Sequence, residues 1–211
     1  GVETRYGAHT GRHPVLVSLS TLAFTGSRRR AFFTKELRAF LLLTREENKA
    51  PLEVQGSYAG ASGIPQFIPT SYRHYAVDFD GDQIRDLWTS PADAIGSVAN
   101  YFREHHWQPG EPVLHRLTAT ADADKTLLDK GLKPHTSLSA FRAAGYDQET
   151  ANSTALATLI QLQTSAGPTH YASRQNFYVI TRYNRSTFYA MAVYELSQAI
   201  EQARTAVLQN P

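Results

Sequence analysis

The sequence predicts an α+β fold that is mainly helical, with a small β-containing insert. Three observations carry that expectation. Residues 31–48 place Phe33, Leu37, Phe40, Leu41 and Thr44 at i, i+4, i+7, i+8 and i+11, the spacing of one helix face. Residues 90–102 and 189–208 read as two further helices. Between them, from about residue 111 to 169, the texture changes to short β-like runs such as PVLHRLTAT.

Taken in order, Gly1, Gly7 and Gly11 bracket a helix end, and residues 13–22 alternate loosely enough to be helix or strand. In the 31–48 helix, Glu36, Arg38, Arg45 and Glu46 fall off the apolar stripe and are assigned to solvent. Residues 56–72 (GSYAGASGIPQFIPTSY) pack glycines, small residues and a single amide, Gln66, into a segment closed by Pro65 and Pro69. The prolines exclude one uninterrupted helix. Small residues permit close backbone approach, so the segment is either a tight turn or the wall of a groove that hydrogen-bonds a polar, uncharged polymer.

Ser90-Pro91-Ala92-Asp93 opens the next helix with a serine cap and a proline in its first turn, and Ile95, Val98, Ala99 and Phe102 are its expected apolar face. Pro109 and Pro112 follow its end. The insert contains a short helix at 138–144 and an alternating run at 156–162. Residues 177–183 are aromatic and β-branched, and they lead into a last helix striped by Met191, Val193, Leu196, Ala199, Ile200 and Ala203. The organisation expected is a helical core at 1–110, an insert at 111–169 and a return to the core at 170–211.

A chain of 211 residues with 42% hydrophobic and 19% charged residues has the material for a real core and is not a disordered segment. Its net charge of +2 argues against a nucleic-acid binder. The basic run Arg28, Arg29, Arg30 is either a solvated helix end or a site for a carboxylate or phosphate. Without cysteine there is no disulfide and no thiolate metal site. No apolar run approaches the roughly 18 residues of a membrane span. The sequence opens on GVETRYG without an initiator methionine, like a piece of something longer, so the missing signal peptide is silent on location.

Asp78, Asp80 and Asp82 alternate as in the first half of an EF-hand loop, with the Ile84 carbonyl and Asp93 able to complete an oxygen shell. Gln83 stands where that loop carries glycine, and Thr89 where it carries a bidentate glutamate. The loop is either a structural calcium site or a solvated acidic turn. There is no HExxH, P-loop, dinucleotide glycine fingerprint or GxSxG elbow, and the eight histidines are scattered. What remains is a carboxylic acid beside a polar groove, with Glu3 the candidate and a solvated terminal residue the alternative.

Five segments in order, GVETRYG, GSYAGASGIPQF with PTSY, DFDGD with DLW, SPADAIGSVANYF and ITRYN with YAMAV, resemble the membrane-bound lytic transglycosylase B family of peptidoglycan-cleaving enzymes. The resemblance runs from Gly1 to about Ala203. It implies a lysozyme-like helical core around a saccharide groove, with an EF-hand-like calcium loop at 78–93. It implies Glu3 as the catalytic acid/base, and Ser57, Gln66, Tyr101, Tyr183, Asn184 and Tyr189 as residues lining the groove. Arg28 and Arg29 fall where the family has an arginine pair facing the peptide stem or a substrate carboxylate. Asp78, Asp80, Asp82, Ile84 and Asp93 fall on the calcium positions, and no organic cofactor is implied. Two positions depart from the pattern: Ser62-Gly63-Ile64-Pro65 replaces Met-Gly-x-Gly, and Gln83 replaces the loop glycine.

The implied reaction cleaves between N-acetylmuramic acid and N-acetylglucosamine and closes a 1,6-anhydro ring. One carboxyl acts first as acid and then as base, so it enters the cycle protonated, and the groove tyrosines are expected to shield it. A hydrolytic muramidase, a non-catalytic peptidoglycan-binding fragment and a calcium-dependent scaffold are the rival readings. Glycan strands are the implied partner, with other cell-wall synthesis or hydrolysis proteins beside them and no nucleic acid. The implied location is the periplasm, soluble or attached to the outer membrane through an N-terminal segment outside this sequence.

Overall fold

His13 and Pro14 form a two-residue strand, β1 (His13–Pro14), and the chain then turns helical as α1 (Val15–Phe24). The computed structural model describes residues 1–25, 28–128, 130–147, 154–165 and 167–209. It divides into two units, Gly1–Tyr101 and Phe102–Pro211.

In the first unit the loose alternation of 13–22 resolves as helix from Val15 on, because Val15, Leu19 and Ala23 repeat every four residues and are all buried. Helix α2 (Arg30–Glu46) packs Phe33 and Phe40 against them, with Val54 completing the cluster. Strand β2 (Gln55–Gly56) pairs antiparallel with β1, His13 opposite Gly56. Helix α3 (Pro69–Tyr75) starts with Pro69 in its first turn, as the proline stop requires. Helix α4 (Pro91–Glu104) follows the acidic loop, and the Ser90 hydroxyl caps it by accepting from the Asp93 N–H at 3.2 Å.

Two expected faces are corrected by this packing. Leu41 is exposed, and Glu36, assigned above to solvent, is only 1% exposed. The buried side of α2 is Phe33, Glu36, Phe40, Leu43 and Thr44, a stripe rotated from the one expected. Its carboxylate accepts from the Thr70 N–H at 2.9 Å and the Thr70 hydroxyl at 2.8 Å, serving free donors at the start of α3. In α4, Ile95 and Ala99 face solvent, and the buried residues are Asp93, Ala94, Gly96, Ser97 and Tyr101. Asp93 and Ser97 are buried there because the acidic loop packs against them and its backbone N–H groups need acceptors.

The second unit holds a five-stranded antiparallel sheet in the order β4-β6-β7-β3-β5. Its elements are β3 (Leu114–Ala119), β4 (Thr136–Ser137), α5 (Leu138–Ala143), β5 (Tyr146–Asp147), β6 (Leu156–Thr164), β7 (Gly167–Ser173), α6 (Gln175–Tyr183) and α7 (Thr187–Gln209). Strand β6 is buried on both faces from Ala157 to Ile160 instead of alternating. Successive side chains point to opposite faces. Leu159 therefore joins Leu117, Ala172 and the α5 residues Leu138 and Phe141, while Ile160 joins Phe177 and Ile180 of α6 and Ala190 of α7.

The β-branched run 177–183 is helical because its apolar residues find that second cluster, and tertiary burial outweighs propensity. Asn176, fully buried, accepts from the Gln108 N–H at 2.8 Å and donates to the carbonyls of Gln108 and Glu111. It fastens the proline-flanked link to α6. Of the stripe expected on α7 only Met191 is buried, beside Ala190, and Ile200 lies exposed. Among the described residues no helix is long and apolar enough to cross a membrane.

Candidate active site

Residues 1–10 form a tight turn laid against the glycine-rich segment. The Arg5 N–H donates to the Gly1 carbonyl at 2.9 Å, and the His9 N–H to the Thr4 carbonyl at 2.9 Å. Arg5, Tyr6 and Gly7 are consecutive residues with φ of 51°, 60° and 92°. Where the turn meets the segment, Gly11 (φ 97°) has no room for a side chain, since a Cβ there would lie 2.1 Å from the Gly56 carbonyl oxygen. Glu3 stands exposed on this turn.

The glycine-rich segment is a folded-back loop, neither helix nor plain turn. The Ser57 N–H donates to the Ala61 carbonyl at 2.8 Å, and the Ser62 N–H to the Phe67 carbonyl at 3.0 Å. The Ser57 hydroxyl oxygen accepts from the N–H groups of Ala59 (3.3 Å) and Ala61 (3.1 Å), so it shapes the loop. Gln66 has φ 54° and gives its amide hydrogens to the carbonyls of Thr10 and Gly63, each at 2.9 Å. Only Oε1 is left for a ligand. In residues 1–11 and 55–67 Glu3 is the one carboxylic acid.

Tyr101 is 7% exposed, with its ring 5.9 Å from Phe67 and 4.8 Å from Tyr75. It therefore backs the loop from inside. The exposed aromatics of this region are Tyr6 and Tyr58, which the motif reading passed over. Arg28 and Arg29 are exposed just before α2, and the Arg29 guanidinium lies 4.2 Å from the Phe32 ring centre.

In the second unit, Tyr183 and Tyr189 lie nearly parallel, at 9° with centres 6.4 Å apart. Asn184 and Ser186 make the turn that holds them: the Asn184 side-chain oxygen accepts from the Ser186 N–H (3.1 Å), and the Ser186 hydroxyl from the Tyr189 N–H (3.2 Å).

In the acidic loop, ligand oxygens of Asp78, Asp80 and Asp93 lie within 4.8 Å of one another. Asp93 is 1% exposed, and its two oxygens accept from the N–H groups of Phe79 and Asp86, each at 2.8 Å. One carboxylate thus ties both legs of the loop to α4. Ser97 adds a bond to the Val77 N–H at 2.9 Å, and the Phe79 ring lies over Gly96, where a Cβ would come within 2.5 Å. Asp82 stands outside the trio and accepts from the Ile84 N–H at 2.8 Å.

Burial raises the pKa of Asp86, but donation from the Thr89 hydroxyl and from the N–H groups of Thr89 and Trp88, with Lys49 nearby, outweighs it and holds the carboxyl below its ordinary value. Gln83 sits at φ 72°, the left-handed backbone that the loop pattern reserves for glycine. Gln83→Gly is therefore expected to stabilise the protein by about 1 kcal/mol, read as a higher denaturation midpoint at unchanged slope.

Two residues that build this region carried no signal in the sequence reading. Thr4 was visible only as the neighbour of Glu3, yet it is 1% exposed and its hydroxyl donates to the Ile64 carbonyl at 2.8 Å. Glu36 stood three residues after Phe33 and four before Phe40, which is a core position of a helix. Its absence from the apolar stripe of Phe33, Leu37, Phe40 and Leu41 put it off the core face.

Comparison with known proteins gives a consistent picture. A family model described as "Transglycosylase SLT domain" matches residues 1–198. Membrane-bound lytic murein transglycosylase B of Escherichia coli K12 is 45% identical over 205 residues, which is 97% of this chain and 55% of that protein. The chain thus spans little more than half the length of this curated relative. The soluble lytic transglycosylase SltB1 of Pseudomonas aeruginosa superposes with a TM-score of 0.92 at 47% identity, covering 97% of this chain and 68% of that one. The Escherichia coli lytic transglycosylase Slt35, solved in complex with calcium, superposes with a TM-score of 0.89 at 44% identity, covering 97% and 64%.

Proposed function

The chain belongs to the Transglycosylase SLT domain family, and we propose that it cleaves peptidoglycan strands between N-acetylmuramic acid and N-acetylglucosamine without water, leaving a 1,6-anhydromuramic end. The observation that carries this reading is the single carboxyl of Glu3 on a turn bonded to a polar loop that holds no second acid. Glycosidases that hydrolyse through paired carboxylates need two. With one, the substrate must provide the other group. Glu3 protonates the glycosidic oxygen, and the bond from that oxygen to the muramic anomeric carbon breaks. The muramic 2-acetamido group stabilises the positive centre. The C6 hydroxyl then attacks the anomeric carbon and returns its proton to Glu3, so protons balance and no water is consumed.

The exposure of Glu3 fits a site completed by its substrate, in which the bound glycan displaces water from the carboxyl. The Gln66 Oε1 accepts from a sugar hydroxyl or amide N–H. Tyr6 and Tyr58 offer rings for sugar faces, and Tyr183 with Tyr189 offers a paired aromatic platform on the second unit. Arg28 and Arg29, both exposed, offer guanidinium donors to carboxylates of the peptide stem.

Asp78, Asp80 and Asp93, with Asp82 and the Ile84 carbonyl, form an all-oxygen donor set suited to calcium, the ion in the Slt35 complex. Three converging carboxylates repel one another, and a bound cation relieves that repulsion. Its part is structural, holding the loop on α4. A murein substrate puts the protein's work in the periplasm.

Digestion of purified peptidoglycan followed by mass spectrometry of the fragments tests the reading. Anhydro-ended muropeptides are expected. Reducing ends, one water heavier, would make the protein a muramidase, and binding without any release would make it a non-catalytic module.

A further inference from the structure

We propose that Thr4 is a positioning residue for the Glu3 carboxyl, and that Gln66 locks the same turn from its far end. The proposal rests on the reading of Glu3 as the acid/base.

The backbone that presents Glu3 is strained. Arg5 and Tyr6 both occupy the left-handed region, with φ of 51° and 60°, and Gly7 follows at 92°. Each non-glycine residue there costs about 1–2 kcal/mol, so such a turn persists only when its surroundings hold it. Thr4 is what holds it. Its hydroxyl oxygen accepts from the Gly7 N–H at 3.0 Å, closing the turn from within, and its hydroxyl hydrogen goes to the Ile64 carbonyl at 2.8 Å. Its own carbonyl accepts from the His9 N–H at 2.9 Å. Thr4 is buried between neighbours that are exposed on both sides, Glu3 and Arg5.

The far end of the turn is fixed by Gln66, whose two amide hydrogens bridge the Thr10 and Gly63 carbonyls at 2.9 Å each. Both clasps land on the same short stretch of the glycine-rich loop, at residues 63, 64 and 66. The acid is thereby referenced to the loop that receives the glycan.

This division of labour has a kinetic signature. Loosening the turn misplaces the proton donor without removing any group that grips sugar. Thr4→Val keeps shape and volume but deletes both hydroxyl bonds, and it is expected to lower kcat by about 10–100-fold while KM on soluble peptidoglycan fragments stays within about twofold. Thr4→Ser retains the hydroxyl and is expected to restore most of the rate. Gln66→Met removes both amide donors and also the Oε1 that accepts from the sugar, so it is expected to lower kcat and raise KM together.

Thr4→Val at the parent kcat would overturn the proposal, as would Thr4→Ser as slow as Thr4→Val. If Thr4→Val fails to fold, Thr4→Ala, which deletes the same two hydroxyl bonds, is read in its place, and a parent kcat there overturns the proposal equally. Full activity in Glu3→Gln would remove the underlying reading. An inactive Glu3→Gln beside a fully active Thr4→Val would remove the positioning role alone.

Discussion

Glu3→Gln is expected to lower the rate of anhydro-muropeptide release by about 10²–10⁴-fold, the range that a positioned general acid/base contributes. The amide has nearly the shape of the carboxyl but cannot deliver a proton to the glycosidic oxygen or take one from the C6 hydroxyl. Because Glu3 is exposed, and the bonds that hold its turn come from Thr4, Gln66 and the backbone, the fold does not depend on it. Stability should stay within about 0.5 kcal/mol of the parent protein. Rate is read from fragments resolved by mass spectrometry, and stability from a denaturant titration on the same preparation. A variant that releases anhydro fragments at the parent rate would remove Glu3 from the chemistry. A variant that is inactive because it has unfolded would show itself in the titration.

Asp93→Ala should produce the largest loss of stability among the acidic-loop variants, about 3 kcal/mol. The buried carboxylate accepts two backbone N–H groups from the two legs of the loop, at Phe79 and Asp86. Alanine leaves both donors without that acceptor and removes the charge at the start of α4, where the helix dipole favours it. The same substitution withdraws one of the three converging carboxylates. Calcium should raise the denaturation midpoint of the parent protein and leave that of Asp93→Ala unmoved. A midpoint that calcium raises equally in both would place the ion elsewhere, and a loss under about 1 kcal/mol would mean that the two bonds matter little. Asp93→Asn, which keeps one acceptor and turns a donor toward the other N–H, should fall between parent and alanine.

The helices were legible where apolar residues repeat at helical spacing, as in Phe33 and Phe40 of α2, or where a cap marks a start, as Ser90 does for α4. The proline stop before α3 was equally plain, because Pro69 acts on its own backbone and that of its neighbour. Spacing misled where a polar side chain had a partner far along the chain. Glu36 is buried because Thr70, 34 residues later, needs acceptors, and no local pattern contains that fact. The face of α4 was misjudged for the same reason. Ile95 and Ala99 look like the inner side until the loop at 77–86 brings N–H groups to Asp93 and Ser97.

For the candidate site, residue types name the kinds of groups available: one acid in GVETRYG, an amide and hydroxyls in a glycine-rich loop, and alternating aspartates before a capped helix. Those are properties of short motifs, and short motifs are read locally. Tertiary structure alone decided which of them are spent on the protein itself. The hydrogens of Gln66 and the hydroxyl of Ser57 are engaged with backbone, Tyr101 is turned inward, and Thr4 holds the strained turn that carries Glu3. A hydrogen-bonding group joins whichever partner folding brings to it, and the Thr10 partner of Gln66 and the Ile64 partner of Thr4 lie 56 and 60 residues away. Residue type announces that such a group exists, and only the packed chain shows whether it is free for a substrate.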